Sequence, residues 1–178
     1  MVRPHPPIII DIEASGFGAE SYPIEIGVVL NDGRKYCSLI QPRPEWTHWD
    51  EGAERVHHLS RDLLWTHGKP VQEVASTLNQ MLRAQTVFSD GWVVDKPWLD
   101  RLFYAAGMHC EFYFSDIEMI LSEPQMEIWH TTKDAVLHGI GHRRHRASFD
   151  AFVIQETYER TWNLVSSGKS TPAAVARP

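Results

Sequence analysis

Ile8-Ile9-Ile10-Asp11-Ile12-Glu13-Ala14-Ser15-Gly16 is the stretch on which the reading of this chain turns. Ile8 to Ile10 are β-branched and apolar, which predicts a buried strand. Asp11 and Glu13 follow at its far end. Side chains two apart on a strand share a face, so both carboxylates project together from one edge of an apolar sheet. Like charges held that close repel, and burial strengthens the repulsion. Two readings of the pair stay open. It is either a polar strand end with two solvated acids or a grip on a cation, for which oxygen ligands suit Mg²⁺ or Mn²⁺.

Outward from that stretch, Ile24 to Leu30 reads as a second strand and Lys35 to Ile40 as a third. The turn signal Asn31-Asp32-Gly33 between them predicts an antiparallel hairpin. Residues 45–69 read as short helices and loops, with either Ser60 or Arg61-Asp62 opening one of them. Val71, Val74, Ala75, Leu78, Met81 and Leu82 recur at three- and four-residue spacing, which predicts an amphipathic helix. Thr86 to Ser89 follows as a strand. A helix is expected from Lys96 to Ala106, with Pro97 in its first turn and Gly107 as its stop. Phe112 to Phe114 reads as a last strand, with helical turns at 117–121 and 132–137. A long helix starts at Ala147, its stripe made by Ala151, Ile154, Tyr158 and Trp162. A hairpin followed by alternating strands and helices predicts an α/β domain with a mixed sheet.

The 178 residues suffice for one domain with a proper core. Hydrophobic content of 43% and charged content of 22% are ordinary globular values. A net charge of −6 argues against life on long duplex by bulk electrostatics, which needs many Lys or Arg contacts to phosphate. Cys37 and Cys110 make no disulfide framework, so a reducing, cytoplasmic setting is expected. The start of the chain does not read as a signal peptide, and no stretch approaches the ~20 apolar residues of a membrane span.

Two further places pair a carboxylate with a fitting context. Asp95 stands at the mouth of the expected helix, where it is either an N-cap or part of a site. In His142-Arg143-Arg144-His145-Arg146-Ala147-Ser148-Phe149-Asp150-Ala151, Asp150 falls on an otherwise apolar helix with His145 just before it. A charge there is expensive unless it is paired or metal-bound. Its partner is a cation in the site or one of Arg143, Arg144 and Arg146. His138, His142 and His145, at i, i+4 and i+7, leave a Zn²⁺ site as a rival reading.

Taken together, Asp11-Ile12-Glu13, Asp95 and His145-x-x-x-x-Asp150 resemble the three motifs of the DEDDh 3′–5′ exonucleases. That family includes oligoribonuclease, RNase T and the proofreading subunit of DNA polymerase III. The resemblance runs from about Ile8 to Thr157. Ser15-Gly16-Phe17 stands where the family has Thr-Gly-Leu, and Glu25-Ile26-Gly27 is similar to its second-strand signature. Val56-His57-His58-Leu59-Ser60 resembles Ile-His-Gly-Ile-Thr, with His58 in place of Gly. Asp95-Lys96-Pro97-Trp98-Leu99 resembles Phe-Asp-x-x-Phe-Leu, with Val94 in place of the aromatic. Asp90-Gly91 stands where the family has His-Asn.

The resemblance implies a ribonuclease H-like three-layer α/β fold, a mixed five-stranded sheet flanked by helices. It implies one exonuclease domain over 1–164, with a disordered tail at 165–178. It implies release of 5′-mononucleotides from the 3′ ends of single-stranded RNA or DNA. Asp11, Glu13, Asp95 and Asp150 would hold two Mg²⁺ or Mn²⁺ ions about 4 Å apart. His145 would be the general base. Ser15, Gly16, Phe17, His57 and Arg146 would meet the substrate, with Phe17 stacking on the terminal base. Analogy with RNA-processing relatives implies a homodimer. A non-catalytic nucleic-acid-binding module of the same fold is the other alternative.

Overall fold

The structure is a computed structural model that describes residues 5–140 and 146–168. Alternation along the first strand, β1 (Ile8–Ala14), sets out the layers. Ile8, Ile10, Ile12 and Ala14 point into one core, and Ile9 points into another. By the same period of two, Asp11 and Glu13 lie on the Ile9 face.

β1 pairs antiparallel with β2 (Pro23–Val29), which pairs antiparallel with β3 (Lys35–Leu39). On its other side β1 runs parallel to β4 (Thr86–Ser89), and β4 parallel to β5 (Tyr113–Asp116). The five-stranded order is β3-β2-β1-β4-β5, a mixed sheet as expected. Between β3 and β4 run α1 (Glu51–His57), α2 (Arg61–His67, capped by Ser60) and α3 (Val71–Leu82). Then come α4 (Trp92–Ala106), α5 (Glu123–Ile140) and α6 (Ala147–Ser166).

The Ile8 face packs on the predicted stripe of α3 and on Trp98, Leu99, Leu102 and Phe103 of α4. The Ile9 face packs on Trp129 of α5 and on Ala151, Ile154 and Tyr158 of α6. This gives helix, sheet and helix in three layers, the ribonuclease H-like arrangement.

Two helices start earlier than the sequence reading has them. α4 begins at Trp92, so Asp95 lies inside the first turn and Gly91 is the N-cap. This corrects the N-cap reading of Asp95. Pro97 is tolerated because only the Val93 carbonyl loses an i+4 donor. α5 begins at Glu123. There the Gln125 side chain accepts from the Ser122 N–H and hydroxyl, while Met126 N–H bonds the Ser122 carbonyl. The Gln125 side chain thus makes the returning half of a capping box at Ser122.

Candidate active site

Each acidic residue is placed by a different element. Asp11 and Glu13 extend from β1, Asp150 from the first turn of α6, and Asp95 from the first turn of α4. Carboxylate oxygens of Asp11, Glu13 and Asp150 come within 4.8 Å of one another. Asp95 is 3% exposed and accepts a very short hydrogen bond from the Ser89 hydroxyl at the end of β4.

The cost of this gathering shows in the acidities. Burial, then Asp95, Glu13 and Asp150, push the Asp11 carboxyl well above the usual carboxylate range. Burial, then Asp150 and Glu25, push Glu13 up to about 7. Asp95 is pushed up to about 7, chiefly by burial, against the Ser89 hydrogen bond that lowers it. Among the described residues, no ion pair relieves Asp11, Glu13 or Asp95. Several oxygen ligands with surplus negative charge fit a hard divalent ion.

The β1–β2 register explains why α6 can reach the cluster. Three cross-strand pairs lie in a row on its face: Ile9 with Val29, Asp11 with Gly27, and Glu13 with Glu25. At Gly27 a Cβ would lie 2.1 Å from the Ser148 nitrogen, so the start of α6 rests directly on the β2 backbone. Glu25 is fully buried and accepts from the Arg146 guanidinium and from the Ala147 N–H at 2.9 Å. Glu25-Ile26-Gly27 is therefore the seat of α6. The sequence reading took it only as a signature.

The residues expected to meet substrate separate into groups. Phe17 is 73% exposed, with its ring centroid 6.0 Å from that of Trp98. Both rings line a largely apolar pocket with Ile12, Glu13, Ala14, Gly16, Val56 and His57. Gly16 has φ 140°, and a Cβ there would meet Asp50 and His48, so only glycine fits this wall. His57 is buried. Its Nδ1 accepts from Leu59 N–H, which leaves the proton on Nε2 in the neutral ring, and Nε2 is buried without a partner. Burial lowers the pKa of His57, so the ring stays neutral at pH 7. His58, where the family pattern has Gly, is the left-handed C-cap of α1 at φ 57°.

Ser15 is turned away from the pocket. Its hydroxyl sits 3.1 Å from His48 Nδ1 and accepts from Tyr22 N–H, and its backbone bonds Tyr22 and Asp50. Every polar group of Ser15 is used inside the fold. The Arg146 guanidinium is held by Glu25. His145 and His142 lie outside the described residues. His138, from the Zn²⁺ reading, is exposed near the end of α5, its Nδ1 2.8 Å from the Asp134 carbonyl. Asp90 is ion-paired with Lys133 of α5. Trp98 as a pocket wall and Glu25 as an anchor were missed, because both read as ordinary strand or helix positions.

No family model and no curated protein matches the sequence. Among solved structures the chain is similar to E. coli exonuclease I. One such structure, described as suggesting how processivity is achieved, has a TM-score of 0.64 at 11% identity over 92% of this chain. Another, in complex with a dA16 oligonucleotide, gives 0.63 at 10% identity over 92%. A zinc-bound form in complex with single-stranded DNA gives 0.58 at 10% over 91%. The chain spans 40–43% of the length of these three. At such identities the likeness shows the fold. No helix among the described residues is long and apolar enough to cross a membrane.

Proposed function

We propose that this chain is a metal-dependent 3′–5′ exonuclease acting on single-stranded nucleic acid. The observation that carries the proposal is the convergence of Asp11, Glu13 and Asp150 within 4.8 Å, beside the pocket walled by Phe17 and Trp98. The similarity to structures of exonuclease I in complex with oligonucleotides supports it.

Asp11, Glu13 and Asp150 would hold one Mg²⁺ or Mn²⁺ ion, and Asp95, sharing Asp11, a second. Such ions neutralise charge on a phosphodiester and lower the pKa of water. The apolar pocket takes the terminal nucleoside, with Phe17 stacked on its base in a sequence-tolerant way. His145 accepts the proton of the attacking water on an imidazole nitrogen. Oxygen adds to phosphorus and the P–O3′ bond breaks. The terminal nucleotide departs with its 5′-phosphate, and the shortened strand takes a proton on its new 3′-hydroxyl.

Digestion of 5′-labelled single-stranded DNA, RNA and a closed circle, each with Mn²⁺ and with EDTA, tests the proposal. A ladder shrinking one nucleotide at a time on linear strands is expected, with the circle intact and no activity in EDTA. Cleavage of the circle, activity in EDTA, or metal-dependent binding without cleavage overturns it.

A further inference from the structure

We infer that the Glu25–Arg146 ion pair is the positioning device of the acid cluster, fixing Asp150 against Asp11 and Glu13 rather than contacting substrate. Glu25 Oε1 accepts from Arg146 Nη2 at 2.5 Å and from Nε at 2.8 Å. Its other oxygen accepts from the Ala147 N–H at 2.9 Å, the favoured place for a carboxylate at a helix N-terminus. The connection continues through Arg146 itself, whose backbone N–H donates to Asp150 Oδ2 at 3.1 Å. One unbroken set of bonds thus runs from β2 through Arg146 to the carboxylate of Asp150. Contact at Gly27 sets the height of α6 over the sheet, and the ion pair sets its rotation and register.

The pair also has an electrostatic task. Glu25 faces Glu13 across the strands, with Cβ atoms of such pairs ~5 Å apart. Without the guanidinium it would add one more like charge to the site. A buried ion pair is weak evidence of stability and is better attested as a device for fixing register. Two of the guanidinium nitrogens are committed to Glu25, although the side chain remains 45% exposed.

The test uses the full chain and two readouts. Mn²⁺ alone is titrated by electron paramagnetic resonance, and kcat and KM are measured on a 5′-labelled oligonucleotide. The kinetic readout rests on the nuclease reading; the Mn²⁺ titration does not. Glu25→Gln and Arg146→Gln should each weaken Mn²⁺ binding by ~10–100-fold, as outer-shell changes at metal sites do. Each should lower kcat with KM almost unmoved. The double variant should be no worse than the worse single, since both act through one unit. Arg146→Lys, which keeps the charge but loses the fork, should fall between Arg146→Gln and wild type.

If Glu25→Gln does not fold, Arg146→Lys decides by the same two readouts. A fall in melting temperature with Mn²⁺ affinity and kcat unchanged would reduce the pair to a fold element and overturn the inference. A raised KM at unchanged kcat in Arg146→Gln would make Arg146 a substrate contact and overturn it too. If wild type binds Mn²⁺ and cleaves nothing, the nuclease reading fails while the titration still decides the role of the pair.

Discussion

Glu13 and Glu25 face one another across β1 and β2, yet they live in different chemistries. Glu25 is fully buried and is met by a guanidinium and a helix N–H. Glu13 is half-buried among Asp11, Asp150 and Asp95, with no ion pair among the described residues, and its carboxyl is pushed up to about 7. The same residue type, on the same face of the same sheet, is ion-paired by the protein in one place and, among the described residues, has no ion pair in the other. The difference separates what builds the fold from what the fold holds ready for a ligand. An acid that the chain satisfies itself is structural. An acid crowded with others and given no ion pair by the described residues could hold a cation.

The largest effect should come from the side kept for the ligand. Asp11→Asn should lose Mn²⁺-dependent stabilisation and lower turnover by ~10³-fold or more, the several kcal/mol that metal ions supply. His145→Ala should keep the stabilisation while turnover falls by ~10²–10⁴, the worth of a positioned base. Thermal melts with and without Mn²⁺, beside single-turnover rates, check both. Equal stabilisation of Asp11→Asn and wild type would place the metals elsewhere.

The next effect lies in pH. Glu13 rises from 4.5 to about 7 on folding, and Asp95 from 3.8 to about 7. Below the unfolded values both states are protonated. Between those values and pH 7 the folded state binds more protons, so its stability falls as pH rises. The metal-free protein should therefore melt higher at pH 5 than at pH 8, with Glu13 alone worth roughly 3 kcal/mol. Saturating Mn²⁺ should flatten the slope. A metal-free protein that melts higher at pH 8 would mean the cluster is not strained.

A smaller effect belongs to the pocket. Phe17→Ala should raise KM for a single strand by about 1–3 kcal/mol, the value of one stacked base, with melting temperature unmoved because Phe17 is exposed. A lowered melting temperature in Phe17→Ala would make Phe17 part of the core.

Much of this was legible in the sequence. The three isoleucines, the Asn31-Asp32-Gly33 turn and the α3 stripe are short-range signals of period and turn chemistry, and β1, the hairpin and α3 follow them. Asp11, Glu13 and Asp150 were paired across the chain only through resemblance to a family pattern, and the fold brings them together. The start of α4 was hidden because Pro97 imitates a first-turn proline, while the true cap, Gly91, has no side chain to announce it. The start of α5 was written in Ser122-Glu123-Pro124-Gln125 and went unread. The bond between Glu25 and Arg146 joins residues 121 apart, and no local pattern carries such a pairing. Nor could spacing show that Ser15, beside the site in sequence, spends its hydroxyl on Tyr22 and His48.

The most direct measurement of the contrast is the melting temperature of Glu13→Gln and Glu25→Gln beside wild type, in EDTA at pH 8 and again in Mn²⁺. Glu13→Gln removes a repelling charge and should melt a few degrees above wild type in EDTA, at ~2–4 °C per kcal/mol for a chain of this size. It should gain little from Mn²⁺. Glu25→Gln breaks a buried pair and should melt below wild type in EDTA. If both variants melt below wild type in EDTA, Glu13 is structural like Glu25, and the cluster at the end of β1 is not a site held open for metal.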